Sequence, residues 1–204
     1  MPNRETLPVI ILASASPRRK EILKSLSLPF VCKPVHIKEY FTSLSGEMDA
    51  VRLAEKKVEV LLNQSAGFAD KWILGGDTIV LEGNKKLGKP TSAEEAHDFL
   101  LRLSGRTHQV ITGLALSSPS LSSEKSGKLL TAAAITEVTF FPLSENEIFW
   151  YLQSDEWIGA AGGYRIQQRG GFFVNRIKGS HSNVVGLPIH TFYGMLRTAR
   201  YFNI

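Results

Sequence analysis

In ILASASPRRKEIL, residues 11–23, two arginines stand where a helix should begin. Ile10 to Ala13 is apolar and reads as a strand, while Ser16 is placed to cap a helix whose first turn opens on Pro17. Arg18 and Arg19 then put two positive charges on the end of a helix that already carries about half a positive charge. One reading sends both side chains into solvent at small cost. The other is that a polar turn and a helix N-terminus present N–H groups to an anion, and that guanidinium groups there grip a phosphate.

Three further residues could do chemistry. Asp77 follows two glycines inside the apolar run WILGGDTIVLE, residues 72–82. It is either the exposed end of a Gly75-Gly76-Asp77 turn or a carboxylate in a buried strand, where it must be paired, hydrogen-bonded or metal-bound. Thr78 beside it faces the opposite side of a regular strand. Lys57 lies at the edge of an apolar helical stripe, where the simpler reading is a stem laid on the core with its ammonium in water. Lys89 ends a stretch, Gly83 to Lys89, that fits G-x-x-x-x-G-K. A P-loop needs Ser or Thr next, however, and Pro90 stands there, so that motif is rejected.

Other chemistries lack their residues. There is no G-x-S-x-G elbow, no H-E-x-x-H, and no glycine-rich dinucleotide fingerprint after a strand. His108 reads as the start of a strand after a turn. Glu39, Glu47 and Asp49 lie in a polar stretch ahead of a helix.

The elements that must position these residues alternate. A strand over 9–14 and a helix over 17–26 are followed by a short strand in LPFVCKPV. A helix from Ala50 to Leu62 carries Ala50, Leu53, Ala54, Val58, Leu61 and Leu62 on one face. A strand, a Gly-Asn turn and a return strand span residues 71–90. A helix with a Ser92/Glu95 capping box comes next. THQVITGLAL and LLTAAAITEVTFF are two long strands, joined by a Ser-rich surface loop at 117–127. A second capping box, Ser144/Glu147, opens a helix ending near Gln153; GFFVNRI is a strand and the tail a last helix. This order predicts an α/β fold with a mixed sheet.

Composition is consistent with that reading. The 204 residues, 43 % apolar and 21 % charged, suit a single globular domain spanning 1–204. Cys32 is the one cysteine, which excludes an internal disulfide and a multi-cysteine zinc site and suits a reducing compartment. No signal-peptide pattern and no apolar run near the ~20 residues of a membrane span is present. A cytoplasmic protein without a membrane partner is therefore expected. The net charge of +5 points weakly to anionic partners.

Seven blocks in order, LASASPRRKEIL, RLAEKK, GGDTIV, LGKP, LSGRTHQVITG, GGYRIQQRGG and NVVGLP, resemble the Maf family of nucleotide pyrophosphatases. Tyr164, Ile166 and Gln167 resemble the branch acting on dTTP and UTP. The resemblance implies a mixed twisted sheet with flanking helices, two lobes around a central cleft, as in inosine triphosphate pyrophosphatases. It also implies hydrolysis of a nucleoside triphosphate to the monophosphate and pyrophosphate, and a homodimer. Motif by motif, it makes Asp77 the acceptor of a proton from water. It makes Arg18, Thr78 and Gln167 substrate-selecting, and Ser14, Arg19, Lys57 and Lys89 polar lining. Glu39 would join Asp77 in holding Mg²⁺ or another divalent cation such as Mn²⁺. Arg165 and Gln168 depart from the family's common residues beside Gln167, as does Gly76 from its usual alanine. The competing reading is a non-catalytic protein binding nucleic acid or a division partner, with Tyr164 stacking a base beside Arg18, Arg165 and Arg169. The enzyme reading expects no nucleic-acid partner.

Overall fold

A computed structural model describes residues 7–37, 45–64, 66–119 and 129–202. Glu39 and most of the Ser-rich loop lie outside them. Among the described residues seven strands form one mixed sheet with flanking helices. In chain order these are β1 (Ile10–Leu12), α1 (Pro17–Ser25), β2 (Phe30–Cys32), α2 (Gly46–Gln64), β3 (Trp72–Glu82), β4 (Lys85–Leu87), α3 (Ala93–Leu103), β5 (Thr107–Ser117) and β6 (Leu130–Phe140). There follow α4 (Glu145–Leu152), β7 (Val174–Lys178), α5 (His181–Val185) and α6 (Ile189–Thr198). The strand order is β2-β1-β3-β5-β6-β7, with β4 on β3. β1 runs parallel to both β2 and β3, whereas β3–β4 and β6–β7 are antiparallel.

The described residues group into two compact units. Unit 1 draws on 1–77, 112–134 and 186–204; unit 2 draws on 78–111 and 135–185. Unit 1 packs Ile10, Leu12, Leu23, Trp72 and Leu74 with Leu187, Phe192 and Leu196. Its α2 lies unusually close to the strands. A Cβ on Gly75 would come within 2.2 Å of the Ala54 carbonyl oxygen, and one on Gly113 within 2.2 Å of the Ala50 backbone. Glycine is required at both by close approach. Unit 2 packs Val80, Phe99, Leu100, Val138, Phe140, Tyr151, Tyr164 and Phe173.

Local signals set most boundaries. Ser16 accepts a hydrogen bond from Arg19 N and starts α1 at Pro17. Gly83, at φ +56°, turns β3 into β4, so the rejected P-loop segment is a hairpin. The Ser144/Glu147 capping box forms in full at α4.

Four expectations are corrected. Ser92 caps α3, but the Glu95 carboxylate reaches back to Thr91 N and its hydroxyl instead of to Ser92, so the box is one-sided. Glu47 and Asp49 lie inside the first turn of α2, where the helix dipole favours acids, instead of ahead of it. Residues 171–173 form part of a 3₁₀ turn, and β7 begins only at Val174. A short helix, α5, stands where none is predicted.

Candidate active site

In unit 1, β1 is flanked by two parallel neighbours reached in opposite directions: the chain goes to β2 through α1, then crosses back to β3 through α2. Ligands in open α/β sheets favour such a reversal, outside the carboxyl ends of the strands. The chemistry-bearing residues of unit 1 gather there. Ala13 N donates to Leu74 O at 2.9 Å, the last rung on this side, and Ser14 follows. The buried Ser14 hydroxyl oxygen accepts from Ser16 N (3.2 Å) and from Arg19 Nη1 (3.0 Å).

Arg19 does not project into solvent. It is 7 % exposed, and its Nε donates to Gly186 O at 2.8 Å. The charge that is awkward at a helix N-terminus is therefore spent tying α1 to the Ser14 turn and to residue 186. Arg18, one position earlier in the same turn, is half-buried.

Asp77 continues the strand; it is not the end of a turn. It is 5 % exposed within an unbroken β3. Lys57 does not snorkel either. α2 buries it, and its Nζ donates to Asp77 Oδ1 at 2.6 Å and to Gly76 O at 3.1 Å. The close approach of α2 at Gly75 sets this reach. At Gly76 a Cβ would stand 3.0 Å from Arg19 Nε, so the guanidinium and the ammonium bracket one strand residue. Two buried polar groups, Ser14 with Arg19 and Lys57 with Asp77, therefore meet at Gly76. Taking both ions of such a pair out of water costs several kcal/mol each, so its presence is poor evidence for stability and better evidence for use. Asp77 Oδ2 accepts no hydrogen bond among the described residues, which leaves it available to a ligand.

The other candidates belong to unit 2. Thr78 is half-buried, and Lys89 and Gln167 are exposed. The segments bearing Lys89 and Gln167 are tied together, since Gly162 N donates to Gly88 O at 2.9 Å. Arg165 turns away from Gln167: its Nη2 donates to Ile158 O (2.8 Å) and its Nη1 to Gln168 Oε1 (3.4 Å). Tyr164 is buried, 6 % exposed, and cannot stack on a base; this removes that element of the binding-protein reading.

The sequence reading missed two features. The Gly76 carbonyl is a ligand of Lys57, and nothing in the residue type signals it. His108 is buried against Tyr164, its Nε2 2.8 Å from the tyrosine oxygen, instead of merely opening a strand. The alternation Thr107 out, His108 in, Gln109 out, Val110 in was a usable signal. Burial pushes the His108 pKa down to about 4, and the imidazole is neutral near pH 7.

A family model described as Maf-like protein matches residues 9–199. The chain belongs to the Maf family. Its relatives within the family include the dTTP/UTP pyrophosphatase of Syntrophus aciditrophicus (strain SB), 43 % identical over 88 % of this chain and 84 % of the relative. The dTTP/UTP pyrophosphatase of Myxococcus xanthus (strain DK1622) is 42 % identical over 94 % and 92 %. In fold this Maf-like chain is similar to a HAM1 protein from Coxiella burnetii, with a TM-score of 0.54 at 16 % identity over 94 % of this chain and 100 % of that one.

Proposed function

We propose that this chain hydrolyses dTTP and UTP to the monophosphate and pyrophosphate, with Asp77 as general base. The observation that carries the proposal is the buried Lys57–Asp77 pair beside Arg19, just past the carboxyl end of β1 and midway along β3, in a Maf chain whose relatives bear that activity in their names. Lys57 holds Oδ1, which leaves Oδ2 to take a proton from water. The water oxygen bonds to the α-phosphorus, the bridging P–O bond to the β-phosphate breaks, and pyrophosphate leaves with that electron pair. Base assistance of this kind is worth roughly 10² to 10⁴ in rate. Positive charge at Arg18, Lys57 and Lys89 offsets the phosphate charge that otherwise repels the nucleophile. Arg18, Thr78 and Gln167 select the substrate, while Ser14 and Arg19 shape the turn that Arg18 follows.

Among the described residues no cluster of three acidic, histidine or cysteine side chains stands ready for a metal. Mg²⁺ is nonetheless commonly held by one or two carboxylates plus substrate phosphates and water, and each Asp77 oxygen has a second lone pair to offer it. Asp77 would hold it, or Mn²⁺, together with Glu39. When bound, the ion withdraws charge from the phosphates. Among the described residues no helix is long and apolar enough to cross a membrane. The resemblance and the lone cysteine support a cytoplasmic homodimer with no nucleic-acid or membrane partner.

The deciding experiment follows pyrophosphate release from a panel of nucleoside triphosphates with Mg²⁺, for the wild type and Asp77→Asn. Turnover of dTTP and UTP that disappears in the variant is expected. A silent panel, or an equally active variant, would overturn the proposal.

A further inference from the structure

The 161–171 segment of unit 2 is built to hold one shape. Gly162 and Gly163 both take positive φ, +71° and +75°, in a 3₁₀ turn. Gly170 closes the loop so tightly that a Cβ there would stand 2.7 Å from Arg165 O. Gln167, Gln168 and Arg169 are exposed; apart from the glycines, only Tyr164 and Ile166 of this segment are buried. The direction in which Gln167 faces therefore depends on how those two inward side chains are seated.

Two tyrosine hydroxyls fix the seat at adjacent residues. The Tyr151 oxygen, from α4, accepts the Arg165 backbone N–H at 3.1 Å. The Tyr164 oxygen runs the other way, into the core, to His108 Nε2 at 2.8 Å. Phe140 stands edge-on to both partners, with centroids 5.0 Å from His108 and 4.9 Å from Tyr164.

A plain packing role does not account for histidine at 108. The residue is 1 % exposed, and its buried Nδ1 has no hydrogen-bond partner among the described residues. An unpaired buried ring nitrogen carries a desolvation cost that phenylalanine or leucine would avoid. Dispersion alone would also keep Tyr164 inside, but it sets neither the depth nor the azimuth of the ring. A hydrogen bond to its one polar atom sets both.

We infer that His108 is a positioning residue for substrate selection, acting through the Tyr164 hydroxyl to fix the 164–168 turn that presents Gln167. The inference rests on the proposed pyrophosphatase reading for its link to selection, though the tether itself does not.

The test compares Tyr164→Phe, His108→Phe and His108→Gln with the wild type by two readouts. The first is the ratio of kcat/KM for UTP to that for a purine triphosphate. It is expected to fall about tenfold in the two phenylalanine variants, through KM, with kcat held within about threefold. The second is tryptic cleavage after Arg165 in the folded protein, expected to quicken about tenfold in the same variants as the turn opens more often. His108→Gln, which keeps an amide donor near the same place, should recover most of both. Unchanged selectivity and cleavage in folded Tyr164→Phe, which keeps the ring volume and serves if His108→Phe does not fold, would overturn the inference. So would lower melting temperature without a change in either readout. If the wild type hydrolyses no nucleotide, the pyrophosphatase reading fails and the link to selection with it. Cleavage then decides the tether alone, and an unaltered rate in the phenylalanine variants would overturn that too.

Discussion

The two units handle buried polarity in opposite ways. Unit 1 buries full charges: Lys57 on Asp77, with Arg19 alongside, each less than a tenth exposed. Unit 2 buries neutral groups, the imidazole of His108 and the hydroxyls of Tyr151 and Tyr164, and leaves Gln167 and Lys89 outside. A reaction that must move a proton and bear phosphate charge suits the first arrangement. On the proposed reading, discrimination between uncharged base edges falls to the second, where the Gln167 amide is exposed and the neighbouring Tyr164 and Ile166 are buried.

The sharpest way to break this contrast is to exchange effects. Asp77→Asn should cost about 10² to 10⁴ in kcat while nucleotide binding, read by calorimetry, persists. Gln167→Ala should do the reverse, raising KM with kcat nearly intact. If both act on KM alone, the division of labour fails. A smaller effect is expected from Lys57→Met, which leaves a buried carboxylate without its partner. Urea denaturation should show a loss of about 3–5 kcal/mol, and adding Asp77→Leu should restore most of it without activity.

The smallest effect concerns pH. His108 titrates at about 4 when folded against 6.5 for the free side chain, because burial disfavours the imidazolium. Below pH 6.5 the unfolded chain takes a proton that the fold refuses. The contribution is therefore complete above 6.5 and is lost as pH falls toward 4, by about 1.4 kcal/mol per pH unit. Urea midpoints at pH 7, 6 and 5 should show this slope in the wild type and lack it in His108→Gln. Equal slopes would mean that the ring is wet.

Residue pattern carried much of this. The Ser16–Pro17 start, the Gly83 hairpin and the Ser144/Glu147 box were legible because each depends on neighbours within four residues. Asp77 and Lys57 were legible as oddities but not as a pair, since 20 residues separate them and the approach of α2 at Gly75 and Gly113 joins them. Arg19 was placed in the right turn with its partner unseen, because Gly186 lies 167 positions away. The Glu95 interaction with Thr91 shows a different limit: the two cap geometries share one spacing signature.

That last distance has a kinetic meaning. The core around Ile10, Leu12 and Leu23 is completed by Leu187, Phe192 and Leu196, and the first helix is tied down by the carbonyl of residue 186. During synthesis, residues 10–77 must wait for more than a hundred later residues before their apolar strands are covered. Contacts of such long sequence separation slow folding and prolong exposure of aggregation-prone segments. A chain truncated ahead of Gly186 is thus not a shorter enzyme but a nascent one, held at the stage where chaperones bind.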